Sequence, residues 1–350
     1  MIEIWYAILS FMLTAYVVFD GRNFGAGILH LFVARTPQER RQVVAAIGPL
    51  WGWHEVWLVA AGGVMFVAFP RLYAVSFSGY YLALFLILWC FVLRGIAMEV
   101  GSHLNDTMWQ SFWDFVLAFS SVLLAILFGA ALGNVLRGVP IDATGVFSMA
   151  FFTDFNVYGY VGLLDWYTIS VGVTALLLLT AHGAGYLALK TDGPVHDRCV
   201  KACGWLWCIM PALFIIISVE TAFVRPDMFF GMLQKPLAWL GVLLLLGGAV
   251  AVVTGLRGKL EERIYAGSSM VIAGLLGAGT AGIFPTFLYS TLDPNNSLTA
   301  YNTAAAPSSL ELALIWYPIA LILTCTYARF IAKQYTGRSS ASKDIEGGGY

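Results

Sequence analysis

Nine stretches of this chain are long and apolar enough to cross a hydrocarbon layer, and nothing else in the sequence restricts the fold as much. They cover 4–33, 55–69 (extendable to about 77), 79–98, 112–136, 159–189, 203–223, 237–256, 266–288 and 310–332. A crossing helix needs about 20 predominantly apolar residues. No water reaches the backbone inside a bilayer, so each stretch must satisfy its own amides as a helix. The expected fold is an all-α polytopic membrane protein of about nine transmembrane helices, divided as two four-helix bundles plus one extra helix. The first stretch is expected to be interrupted near Asp20 and Gly21, and the second is cut short by Pro70 and Arg71.

Composition agrees and excludes other classes. Charged residues make up 11% of the chain and apolar residues 59%, with a mean hydropathy of +0.79; soluble domains carry about 25% charged residues. A net charge of -1 gives no electrostatic footprint for nucleic acid. No long basic or acidic tract argues for a large soluble partner. The N-terminus lacks a basic n-region and a small-residue cleavage site, so the first stretch reads as a retained span. The chain reads as one integral membrane domain over 1–336. Within it, 1–137 forms an N-terminal bundle, 138–336 holds the remaining helices, and 337–350 is a flexible cytoplasmic tail.

Loop charge predicts orientation, because cytoplasmic loops are enriched in Lys and Arg. After odd-numbered stretches stand Arg35, Arg40, Arg41, Lys190, Arg198, Lys201, Arg257, Lys259, Arg263, Arg329, Lys333, Arg338 and Lys343. After even-numbered ones stand Arg71, Arg137, Arg225 and Lys235. Thirteen against four places the N-terminus outside and the C-terminus in the cytoplasm.

Against this background seven ionisable residues stand out: Asp20, Arg22, His54, Glu55, Arg94, Glu99 and Asp114. A charge at membrane depth costs several kcal/mol unless it pairs or meets water, and so marks a functional site. With the predicted orientation, all seven converge on the cytoplasmic side of the first four helices. Such a pocket suits proton uptake better than transport across the whole bilayer. Asp20 reads either as a proton-exchanging acid or as the partner of Arg22 or Arg94 in helix packing. Glu55, beside His54 and among Trp51, Trp53 and Trp57, reads as a proton carrier or as a helix-start carboxylate favoured by the dipole. Asp114 has the same two readings. Arg94 cannot be deprotonated, so its expected role is to compensate Asp20, Glu55 or Glu99. Glycines 21, 25 and 27 read as close-packing positions.

Metal and haem sites find little support. Cys90 and Cys325 lie in apolar stretches, and Cys199, Cys203 and Cys208 form no CxxC pair. Of the five histidines, His30, His54 and His182 fall near a span, without a second His or a Met at clear axial spacing. His182 reads as a satisfied structural histidine.

Several motifs occur in order along the first half: Phe-Asp-Gly-Arg-Asn-Phe-Gly-Ala-Gly at 19–27, Gly-Pro-Leu-Trp-Gly-Trp-His-Glu-Val-Trp-Leu at 48–58, and Ala-Gly-Gly at 61–63. They continue with Phe-Ser-Gly-Tyr-Tyr at 77–81, Arg94 with Glu99, Trp113 with Asp114, and Gly-Asn-Val-Leu-Arg-Gly-Val-Pro at 133–140. As a set the chain resembles subunit II of the cytochrome bd-type quinol oxidases. The second half matches more loosely, at 283–285 and 296–298. The resemblance implies a haem-free subunit in a heterodimer with a haem-bearing subunit I, in a prokaryotic cytoplasmic membrane, with haems of b and d type in that partner. It also implies quinol and oxygen as substrates of the complex and allows small accessory subunits. A structural quinone or lipid in the later helices is admitted as well.

The residues read for proton transfer are Asp20, His54, Glu55, Glu99 and Asp114, those for charge compensation Arg22 and Arg94, and Trp57 is read for an oxygen path or packing. Two departures bear on this. Asn23 and Arg22 stand where the family reads aspartate and an aromatic residue, and Gly52 stands where relatives carry an acid proposed to move protons. His54 is placed to take over proton exchange, since imidazole titrates near neutrality. Two alternatives remain: a purely structural subunit of the same complex, and a stand-alone transporter or channel, which needs a polar path through both halves of the membrane.

Overall fold

Helix boundaries fall where backbone chemistry stops them. The computed structural model describes residues 1–101, 103–104, 106–334 and 337–338. Helix α1 (Ile2–Val33) is followed by the short α2 (Pro37–Ile47), which Thr36 opens with a capping box to Glu39. A 3-10 turn leads into α3 (Trp51–Ala68); Pro70 then ends that helix and begins α4 (Pro70–Gly79). Next come α5 (Tyr81–Val100) and α6 (Thr107–Arg137), the latter capped by Asp106. After an irregular segment, Asp165 and Thr168 form the capping box of α7 (Trp166–Lys190). There follow α8 (Gly193–Val224), α9 (Pro226–Leu233), α10 (Pro236–Gly258) and α11 (Glu261–Ile283). A two-stranded antiparallel ribbon of β1 (Thr286–Leu288) and β2 (Leu298–Thr299), and the single turn α12 (Ala300–Thr303), precede α13 (Pro307–Gln334).

Among the described residues eight helices are long and apolar enough to cross a membrane, and α2 with α3 makes a ninth candidate as a bent pair. Contacts at the two ends show that α3 traverses the molecule. Its last residue accepts a hydrogen bond from Ala305 at 2.9 Å, just ahead of α13, whereas its start follows directly on α2 at the opposite end. At that opposite end Arg198 donates to Val33 O and pairs with Glu39, and Arg338 pairs with Asp192. The segments that join α1 to α2, α7 to α8 and α10 to α11 therefore meet there with Arg338, and these segments carry most of the cations. At the other end Trp5 donates to Leu310 O and Arg225 to Leu136 O. Residues 1 and 338 lie at opposite ends of the molecule.

The helices divide as α1, α3, α5, α6 and α7, α8, α10, α11, joined where α7 packs against both α6 and α1, with α13 set against α3 and the start of α1. The α7 face is the most enclosed of the spanning helices, with 78% of its apolar window buried, against 6% for α13.

Three expectations change. Helix α1 is continuous through Asp20–Gly27 rather than interrupted, because its glycines admit neighbouring helices without breaking the ladder. The span expected over 159–189 starts only at Trp166, where Asp165 caps it, and the one over 266–288 ends at Ile283 before the β ribbon. A buried ion pair outside the cluster, Arg137 with Asp165, joins the end of α6 to the start of α7. Of the tail expected to be flexible, 339–350 lies outside the described residues.

Candidate functional site

Three spanning helices, α1, α3 and α5, bring five of the seven singled-out residues into one hydrogen-bonded chain. Asp20 is fully buried on α1 and accepts from both terminal nitrogens of Arg94 on α5, at 3.1, 3.1 and 2.9 Å. The same guanidinium reaches Glu55 on α3 at 2.7 Å, and Glu55 keeps 26% of its side chain exposed. One cation thus serves two carboxylates, one sealed and one open. A lone buried carboxylate costs several kcal/mol, and the pair offsets this through well-aligned charge-assisted bonds. Phe24 and Phe91 flank the guanidinium, its carbon lying 4.6 and 5.4 Å from their ring centres.

On the other side of Asp20 the chain continues through uncharged groups. Asn23 lies one helical turn along α1, a spacing that puts i and i+3 on one face. Its amide atom, placed as Nδ2, is 3.0 Å from Asp20 Oδ1 and 2.7 Å from His54 Nδ1. The buried His54 ring meets Arg22 at 2.8 Å through Nε2. Arg22 also donates to the Tyr265 hydroxyl at 2.8 Å and lies 4.4 Å from the centre of the Tyr186 ring. The sequence thus offered Arg22 as a partner for Asp20, and the fold instead turns it toward His54, α7 and α11.

The remaining two acids stand apart. Asp114, near the start of α6, accepts from His30 Nε2 at 2.6 Å and from Arg40 at 2.8 Å, tying α1 and α2 to α6. Glu99 is exposed and accepts from the Trp51 indole at 3.2 Å. Trp57 is buried with its ring beside Phe11, Phe19 and Trp53. It lines an apolar cavity of about 490 Å³ between α1, α3 and α13, together with Trp5, Met12, Trp316 and Tyr317.

Sequence reasoning passed over Asn23, His30, Arg40 and Tyr265 as site residues. The i to i+3 spacing of Asp20 and Asn23 was the available signal; the contacts of His30 with Asp114 and of Arg22 with Tyr265 join positions far apart in sequence. His182 Nε2 donates to Val18 O at 3.0 Å and its Nδ1 lies 2.7 Å from Ser268 Oγ, so both ring nitrogens are engaged. Arg137 is held by Asp165, by Asn134 at 2.6 Å and by Gly162 O at 3.0 Å, anchoring the end of α6 to the start of α7. No cluster of three or more His, Cys, Asp or Glu able to hold a metal occurs among the described residues.

A family model described as cytochrome bd terminal oxidase subunit II matches residues 1–333. The chain is 27% identical to the cytochrome bd-I ubiquinol oxidase subunit 2 of Escherichia coli K12, over 97% of each chain. It is 28% identical to the cytochrome bd ubiquinol oxidase subunit 2 of Bacillus subtilis, over 89% of each. A probable cytochrome oxidase subunit 2 of Haemophilus influenzae is 27% identical, over 97% of this chain and 95% of that one. In fold, the chain superposes on a chain of the bd oxidase from Geobacillus thermodenitrificans with a TM-score of 0.74. That match covers 95% of this chain and 98% of the other at 14% identity.

Proposed function

Because the chain belongs to the cytochrome bd terminal oxidase subunit II family, we propose that it is the haem-free subunit of a bd-type quinol:oxygen oxidoreductase in a prokaryotic cytoplasmic membrane. It packs beside a haem-bearing subunit I, through which the electrons pass. Reducing oxygen to water consumes protons, and this subunit supplies part of their inlet. The observation that carries the reading is the pairing of a sealed and an open carboxylate on one guanidinium: Glu55 keeps 26% of its side chain exposed, Asp20 none, and Arg94 touches both. A proton arriving at Glu55 lies within one residue of Asp20, while Arg94 keeps its charge throughout. The buried Trp57 beside the apolar cavity supports a second role, guiding oxygen, which partitions into apolar space.

The pairing also favours one other reading, in which Asp20 and Arg94 serve packing alone. Turnover separates the two. In the purified complex, Glu55→Gln and Asp20→Asn are expected to lower oxygen reduction by roughly 100-fold, the lower end of the range for a lost proton-transfer group, with the haem spectrum unchanged. Wild-type turnover in both variants would sink the inlet reading, and loss of haem together with activity would favour the packing role.

A further inference from the structure

We propose that Arg22 and His54 set the proton occupancy of Asp20 through a single amide atom of Asn23. The inference rests on reading Asp20 as a proton-exchanging acid. It starts from a mismatch of donors. One atom of the Asn23 amide touches both Asp20 Oδ1, at 3.0 Å, and His54 Nδ1, at 2.7 Å. Arg22 touches the other ring nitrogen of His54 at 2.8 Å, and a guanidinium has only donors to offer. Neutral imidazole has one N–H and one lone pair, so it cannot accept at both nitrogens.

Two arrangements resolve the mismatch, and they differ by one proton. In the first, the amide N–H₂ faces both neighbours and donates to an ionised Asp20 and to His54 Nδ1. His54 then carries its proton on Nε2, against a donor, and Arg22 has to withdraw to Tyr265 and the Tyr186 ring, its other two contacts. In the second, the amide is turned by half a rotation, which exchanges its oxygen and nitrogen. Its oxygen then accepts from His54 Nδ1–H, the Nε2 lone pair accepts from Arg22, and Asp20 Oδ1 faces a carbonyl oxygen. That contact becomes a hydrogen bond only when Asp20 is protonated.

Passing from the first arrangement to the second takes one proton from water to Asp20. His54 holds one proton throughout, on Nε2 before and on Nδ1 after, and no electron moves. Arg94 remains paired, because Glu55 stays within 2.7 Å. The remaining end of the Asn23 amide, placed as Oδ1, is buried with no partner, so neither orientation is favoured by a bond there. Docking of Arg22 on His54 thus stabilises the protonated acid, and its release stabilises the ionised one. Arg22 is a positioning residue, acting on Asp20 through two others.

The groups that bear on Asp20 are Tyr16, Arg22 and Asn23 from α1, His54 and Glu55 from α3, and Arg94 from α5. On the α7 and α11 side, His182 and Tyr265 approach Gly21 and Arg22. This inventory makes the sign of the effect decisive. Taking away the Arg22 cation through space would help Asp20 hold a proton, whereas taking away its hydrogen bond to His54 favours the ionised acid.

The test is infrared difference spectroscopy of the purified oxidase complex across a pH series, reading the carbonyl band of the protonated Asp20 carboxyl. Asp20→Asn identifies the band by removing it, and Asp20→Glu by displacing it should the first variant not assemble. Arg22→Met is expected to move the pH of half-loss down by about one unit, the scale of one charge-assisted hydrogen bond. Arg22→Lys, which keeps charge and donor, is expected to restore it. In a His54→Phe background the downward shift should vanish. An upward shift or none in Arg22→Met, or no Asp20 band at any pH, overturns the proposal. Turnover reports on the inlet separately: a slow Asp20→Asn enzyme with no downward shift in Arg22→Met keeps the inlet and removes this coupling. Wild-type turnover of Asp20→Asn with the downward shift keeps the coupling and removes the inlet.

Discussion

Arg94 is the residue on which the site balances, since it donates three hydrogen bonds to Asp20 and one to Glu55 while being 1% exposed. Arg94→Met leaves Asp20 buried without a counter-charge, and such a break costs about 3–5 kcal/mol. The expected result is a lower thermal midpoint and a lower yield of the complex. Replacing both members, as Asp20→Leu with Arg94→Met, removes the stranded charge and is expected to recover most of that stability, yet to remain slow in oxygen reduction. Unfolding midpoints and turnover of the three variants check this; a double variant with full turnover would assign the pair to packing. The charged members of this site were legible in the sequence because charge at membrane depth announces itself. Asn23 was not, being uncharged and noted only for the aspartate it replaces. Asp114 was read toward the same cluster, but His30 and Arg40 lie closer to it in the fold, and neither pairing follows from spacing along the chain.

At the scale of elements, one of the closest contacts between the two bundles is the crossing of α1 and α7 at Gly25 and Gly183. A Cβ on Gly25 would fall inside the contact radius of the Leu179 carbonyl oxygen and 2.8 Å from Gly183 Cα, and one on Gly183 would meet the backbone of Gly25. Backbone cannot give way as a side-chain end can, so the crossing admits only hydrogen at both positions. Gly25→Leu is expected to abolish assembly of the complex. Gly204→Ala on α8, where an added methyl meets nothing within 4 Å, is expected to leave it intact; haem content per membrane protein measures both. The same glycines explain why the sequence could suggest a broken first helix. Glycine is the residue both of a break and of a close crossing, and only the neighbour at Gly183 distinguishes the two. Prolines mislead in a parallel way, since Pro211 and Pro318 sit inside α8 and α13 without ending them, while Pro70 does end α3.

For the molecule as a whole, the outstanding question is which aqueous phase meets the half-open Glu55. Residues 1 and 338 lie at opposite ends of the fold, as an odd number of crossings would place them, and α3 is the candidate crossing that makes the number odd. Had α3, 18 residues long, turned back within the membrane, both termini would share one side. Orientation then follows from loop charge. The end that gathers Arg198, Arg338 and the loops after α1, α7 and α10 carries most of the cations, and each cation near an anionic inner leaflet contributes about 1 kcal/mol. The start of α3 follows α2 at that same end, so on this charge pattern Glu55, four residues beyond Trp51, is expected to draw on the cytoplasm. Fusions check this directly. A reporter that folds only in the cytoplasm, attached after residue 338, is expected to be active. A phosphatase that needs the oxidising outer phase is expected to be active when inserted in the 143–145 turn between α6 and α7. The reverse pattern would turn the subunit over and make Glu55 face the outer phase, and with it the proton inlet would have to be replaced by an outlet.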